Sequence, residues 1–61
     1  MTPLPLRTIL VDDEPRGLNS VHRLLQINCP EVTTIAMCTN VDDAIEKITA
    51  LKPDLVFLDI A

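Results

Sequence analysis

Ile9-Leu10-Val11-Asp12-Asp13-Glu14-Pro15 joins an apolar run to a carboxylate pair and then to a proline suited to the first position of a helix. A second apolar run, Leu55-Val56-Phe57-Leu58, also ends in a carboxylate, Asp59. Short apolar runs bounded by turn signals and separated by helical periodicity read as buried parallel strands. Asp12, Asp13 and Asp59 are therefore expected at one end of a single sheet.

The residues between the two runs supply the remaining elements. The first strand reads as Thr8–Val11. From Pro15 onward Leu18, Val21, Leu24 and Leu25 keep helical spacing, until Asn28-Cys29-Pro30 stops it. Val32–Cys38 is rich in β-branched residues with threonine on both faces, which suits a strand near a sheet edge. Asn40 is placed to cap a second helix, with Asp43 where a capping box carries Glu or Gln. Val41, Ala44, Ile45, Ile48 and Leu51 form one apolar stripe on that helix. Lys52 suits its C-terminal end, Pro53 ends it, and Asp54–Leu58 reads as the last strand.

Strand, helix, strand, helix, strand makes two successive crossover units and predicts an α/β fold with a parallel sheet. Strand one is apolar on both faces and strand two is half polar, so the expected order is 2-1-3. Right-handed crossovers then place the helices on opposite faces. The acidic strand ends meet where the winding direction reverses, the place where open α/β sheets bind ligands.

Nine acids against five bases give a net charge of −4, and the bases Arg7, Arg16, Arg23, Lys47 and Lys52 are scattered. Nucleic-acid binding needs a clustered basic face, so direct binding by this segment is not expected. Residues 1–6, with two prolines, do not form a signal peptide; they are expected to be a disordered tail ahead of a folded unit at 7–61. No apolar run reaches the length of a membrane span. Cys29 and Cys38 have neither metal spacing nor a disulfide framework and read as small hydrophobes or free thiols, which fits a cytoplasmic compartment.

Neighbouring carboxylates repel one another, and a cation relieves this. Magnesium is suited to the task, since it takes one or two carboxylates and completes its octahedron with water and phosphate oxygens. With the charge neutralised, a carboxylate can act as nucleophile and form an acyl phosphate. Asp59, alone at its strand end, is the candidate nucleophile; Asp12 and Asp13 are the candidate metal ligands. The plainer alternative is that Asp-Asp-Glu-Pro simply starts a helix, its acids favoured by the positive end of the macrodipole. His22 reads as a boundary residue, Phe57 as core, and Lys47 as part of a solvated face. Gly17, in the first helical turn, has no role legible from sequence and costs about 1 kcal/mol there relative to alanine.

From Arg7 to Ala61 the chain resembles the receiver domain of bacterial two-component response regulators. Ile9-Leu10-Val11-Asp12-Asp13-Glu14-Pro15 is similar to the family's first strand with its acidic pair, and Asp54-Leu55-Val56-Phe57-Leu58-Asp59 to its third strand ending in the phosphoacceptor. The resemblance implies a flavodoxin-like, doubly wound sheet and phosphorylation of Asp59 by a sensor histidine kinase. It implies magnesium held by Asp13, Asp59 and the backbone carbonyl of Ala61, with Asp12 supporting the ion through water. Arg16 and Leu18 would belong to a kinase-docking patch on the first helix. Val-Asp-Asp-Glu-Pro-Arg is also similar to regulators whose output domain is of the LytTR DNA-binding kind. The hydroxyl residue after a fourth strand and the lysine after a fifth, which the family uses to read the phosphoryl group, are not in these residues. The expectation is thus a partial receiver domain, a shortened or proteolysed form or half of an exchanged assembly, and not a complete switch. Its third strand would offer an open edge for self-association.

Two other readings compete. A haloacid-dehalogenase-type phosphotransferase would carry a second acid two residues after the nucleophile, where this chain has Ala61. A pseudo-receiver would use its surfaces and leave the acids unmodified. The expectation is a phosphoacceptor module, not an enzyme, whose self-catalysed phosphotransfer needs the missing half of the domain.

Overall fold

A computed structural model describes residues 5–59. The elements are β1 (Leu6–Asp12), α1 (Pro15–Asn28), β2 (Val32–Cys38), α2 (Val41–Leu51) and β3 (Leu55–Asp59). The three strands form one parallel sheet in the order β2-β1-β3. This is the expected 2-1-3 order of a flavodoxin-like sheet.

β1 is longer than expected. It begins at Leu6, whose N–H donates to Glu31 O at 2.7 Å, so the last residue of the expected tail belongs to the sheet. The rest of that tail, apart from Pro5, lies outside the described residues. Being central, β1 is covered on both faces: Thr8, Ile9, Leu10 and Val11 are at most 2% exposed. Leu10 packs with Leu18 and Leu25 of α1 on one face. Ile9 and Val11 pack with Cys38 and with Ala44 of α2 on the other. The two helices thus lie on opposite faces.

The β1–β2 register shifts between Thr8 and Ile9: Thr8 pairs with Thr34, and Ile9 with Ala36. Ile35 is the extra residue. Because side-chain facing alternates with period two, this insertion turns Ala36 and Cys38 toward α2, while Thr34 stays on the α1 side against His22. The His22 Nδ1 and Thr34 Oγ1 are 3.1 Å apart, which ties α1 to β2 and accounts for this boundary histidine.

α2 starts as its sequence predicts, with Asn40 Oδ1 accepting the Asp43 N–H at 2.7 Å. Its C-terminus is held less obviously. Arg7 of β1 donates from its guanidinium to Leu51 O at 2.7 Å and Lys52 O at 3.0 Å, bringing positive charge to the end of the helix where carbonyls lack partners. The backbone N–H of Arg7 donates to Asp54 Oδ2, and Asp54 N–H donates to Arg7 O, so the same residue also aligns the start of β3. Lys52 closes the helix in the left-handed region, at φ 48°, a conformation that favours glycine. Lys52→Gly is accordingly expected to raise stability by about 1 kcal/mol, read as an increase in the urea midpoint.

β3 departs from its expected burial. Both helices pack on β1 and β2 and neither reaches β3. All five of its residues are exposed, with Phe57 at 39% and Leu58 at 65%. Phe57 is therefore not the core residue its sequence setting suggests. The apolar stripe of α2 divides likewise: Ala44 is buried and Ile48 and Leu51 are partly covered, while Val41 and Ile45 remain open.

Candidate functional site

β1 and β3 end together. Asp12 pairs in register with Asp59, as Leu10 does with Phe57, so the two carboxyl-bearing residues stand side by side at the carboxyl edge of the sheet. A cavity of about 80 Å³ lies between α1 and β3. Leu10, Leu18, Val21 and Phe57 line its apolar part, and Asp12 and Asp59 lie at its acidic end.

The acids differ in setting. Asp12 is only 6% exposed, and its Oδ1 accepts the Glu14 N–H at 2.8 Å. Asp13, one residue past the strand, and Asp59 are exposed. Glu14 occupies the N-cap position of α1 but makes no side-chain capping bond. The helix-starting role open to this acidic stretch therefore falls on Asp12, which braces the turn two residues ahead. Asp12 also lies over Gly17: a Cβ on Gly17 would overlap Asp12 Oδ2. Sequence reading left Gly17 without a role, because nothing along the chain signals a contact between a strand end and a helical turn.

Among the described residues, no three His, Cys, Asp or Glu side chains converge as a ready metal-binding group. The register brings Asp12 and Asp59 together, and Asp13 follows directly after the end of β1. The carbonyl of Ala61 lies outside the described residues. Two exposed carboxylates with a third bracing the loop do not form a dehydrated cage. They do fit magnesium, which keeps several waters and needs only one or two carboxylates besides phosphate oxygens.

The docking patch expected on α1 needs one correction. Leu18 is 6% exposed and packed with Leu10 and Leu25, so it belongs to the core and offers nothing to a partner. Arg16 in the same turn is exposed. Cys38 is buried in the opposite core; burial pushes its thiol above its ordinary value, and the Asp43 carboxylate adds to this. It stays protonated and packs as a small hydrophobe. No helix among the described residues is long and apolar enough to cross a membrane.

Comparison with known proteins bears on this edge. The chain is 38% identical over 55 residues to the sensory transduction protein LytT of Enterococcus faecalis, covering 90% of this chain and 22% of that protein. It is 36% identical over 55 residues to a protein-glutamate methylesterase/protein-glutamine glutaminase of Geobacter sulfurreducens, covering 90% of this chain and 15% of that protein. It is 32% identical over 56 residues to the nitrate/nitrite response regulator protein NarL of Escherichia coli, covering 92% of this chain and 26% of that protein. The chain thus spans about a quarter or less of the length of these curated relatives. No family model and no solved structure matches it. Over nine-tenths of its length, then, this chain is similar to sensory transduction and response regulator proteins, and its 2-1-3 parallel sheet sets two acidic strand ends side by side at the edge.

Proposed function

We propose that this chain is the phosphoacceptor portion of a two-component response regulator, with Asp59 as the residue that takes the phosphoryl group. The in-register pairing of Asp12 with Asp59 at the carboxyl edge carries this reading. It leaves Asp59 exposed to a donor and puts a second carboxylate beside it, the setting in which a cation is favoured. The relatives also support it: a methylesterase and a nitrate/nitrite regulator share this segment under different names, which argues for a common regulatory part and not for a shared enzymatic one. A haloacid-dehalogenase-type activity and an unmodified pseudo-receiver are correspondingly disfavoured.

In this reading a sensor histidine kinase docks on the exposed first turn of α1, where Arg16 is available. The phosphoryl group passes from a phosphohistidine nitrogen to an Asp59 carboxylate oxygen. The P–N bond breaks, the P–O bond forms, and the released imidazole nitrogen takes up a proton. Asp13, Asp59 and the Ala61 carbonyl would hold magnesium, with Asp12 behind them acting through water. When bound, the ion supplies charge neutralisation at the phosphoryl oxygens. The modification would be read by an output domain, and the LytT and LytR relatives favour one of the LytTR DNA-binding kind. The reaction would be set in the cytoplasm.

Acetyl phosphate with magnesium tests the assignment without a kinase. The intact protein should gain one phosphoryl group by mass, placed at Asp59 by peptide mapping. No gain, or a gain elsewhere, would sink it.

The open edge of β3 fits a second copy of this chain. Antiparallel pairing centred on Phe57 sets Asp59 opposite Leu55 of the partner subunit, so no like charges meet along the shared edge. Light scattering should show a mass rising toward two chains with concentration, and Val56→Lys should hold it at one. A single-chain mass at millimolar concentration would refute the pairing.

A further inference from the structure

We propose that Gly17 is the positioning residue for Asp12: its missing side chain is the space in which the Asp12 carboxylate sits. The inference rests on the magnesium-assisted phosphoacceptor reading above and adds a residue to it. A glycine in the first turn of a helix needs a reason, since alanine would favour the helix by about 1 kcal/mol. Backbone conformation does not supply one, because Gly17 is not at positive φ. Room does. A Cβ at this position would overlap Asp12 Oδ2 and lie 2.9 Å from Cγ and 3.3 Å from Oδ1, so the whole carboxylate is in its path.

A flexible, exposed side chain could swing away from such a clash at little cost. Asp12 is held on two sides: it is 6% exposed, and its Oδ1 accepts the Glu14 N–H at 2.8 Å. Moving it gives up that bond and takes the carboxylate out of its place at the sheet edge, where Asp59 is its register partner. A displaced carboxylate no longer supports a hydrated cation from that place. Gly17 therefore holds the bracing carboxylate in position beside the reacting one.

The test uses Gly17→Ala in the full chain with three readouts: the Glu14 amide by NMR, magnesium affinity by calorimetry, and thermal unfolding. The Glu14 amide should shift and exchange faster, and magnesium affinity should fall by about 10–100-fold, the usual effect of disturbing a group behind a metal ligand. The melting temperature should hold or rise. In an Asp12→Ala background, Gly17→Ala should cause no further loss of affinity. A Glu14 amide and a magnesium affinity unchanged from the parent would overturn the proposal, and a rise in stability alone would identify a purely helical role. If the parent takes up no magnesium, the phosphoacceptor reading falls and the Glu14 amide alone decides the role of Gly17. If Gly17→Ala unfolds the chain, adding Asp12→Ala should restore the fold; a double variant that stays unfolded overturns the assignment.

Discussion

An Asp59→Asn protein is expected to take up no phosphoryl group from acetyl phosphate and magnesium, a complete loss where the parent gains one. Asparagine keeps the size and place of the side chain at the end of β3 but lacks the carboxylate oxygen that must attack. The graded effects of its neighbours make the result specific. Asp12→Asn can still accept the Glu14 N–H, so it should leave the turn intact and slow uptake by about 10–100-fold through the weakened metal site. Asp54→Asn, at the other end of the same strand and engaged with Arg7, should label like the parent. The bond formed would be an acyl phosphate, so hydroxylamine should release it. Labelling that survives in Asp59→Asn would assign the chemistry to another residue.

Leu10→Ala should unfold the chain or bring it to the edge of unfolding. Leu10 is 1% exposed at the centre of the sheet, and Leu18 and Leu25 pack on it from α1. Truncating a buried leucine costs about 2–5 kcal/mol, because the lost transfer energy is joined by the cavity left behind. A chain of this size has about 3–9 kcal/mol of stability at the usual per-residue value, so one methyl-bearing side chain carries a large share of it. Leu24→Ala is the matched control. Leu24 is 59% exposed on the same helix and its truncation should move stability by no more than about 0.5 kcal/mol. Urea unfolding of the two variants would show the contrast, and equal midpoints would contradict the packing described.

Hydrophobic periodicity made much of this fold legible. The fully apolar Ile9-Leu10-Val11 run marked the central strand, the threonines of β2 marked an edge, and Asn40 marked the start of α2 to the residue. The site was legible as far as strand ends can show it, which is why Asp12 and Asp59 were expected to be neighbours. What escaped depends on contacts between residues distant in sequence. Arg7 reads as one more scattered base until the end of α2 arrives beside it. Leu18 heads the apolar stripe of α1 by its spacing, and only the packing shows that this burial leaves it out of the docking patch the resemblance implies. The Ile35 insertion has no local mark either, since it exists only relative to the pairing with β1.

The central position of β1 has a consequence during biosynthesis. β1 is made before the strands that flank it, and its second neighbour begins near Asp54, 47 residues after Arg7. At about 5–20 residues per second, the ribosome delivers that neighbour several seconds after β1 has been made. For that interval the apolar Ile9-Leu10-Val11 stretch lacks one of its two flanking strands.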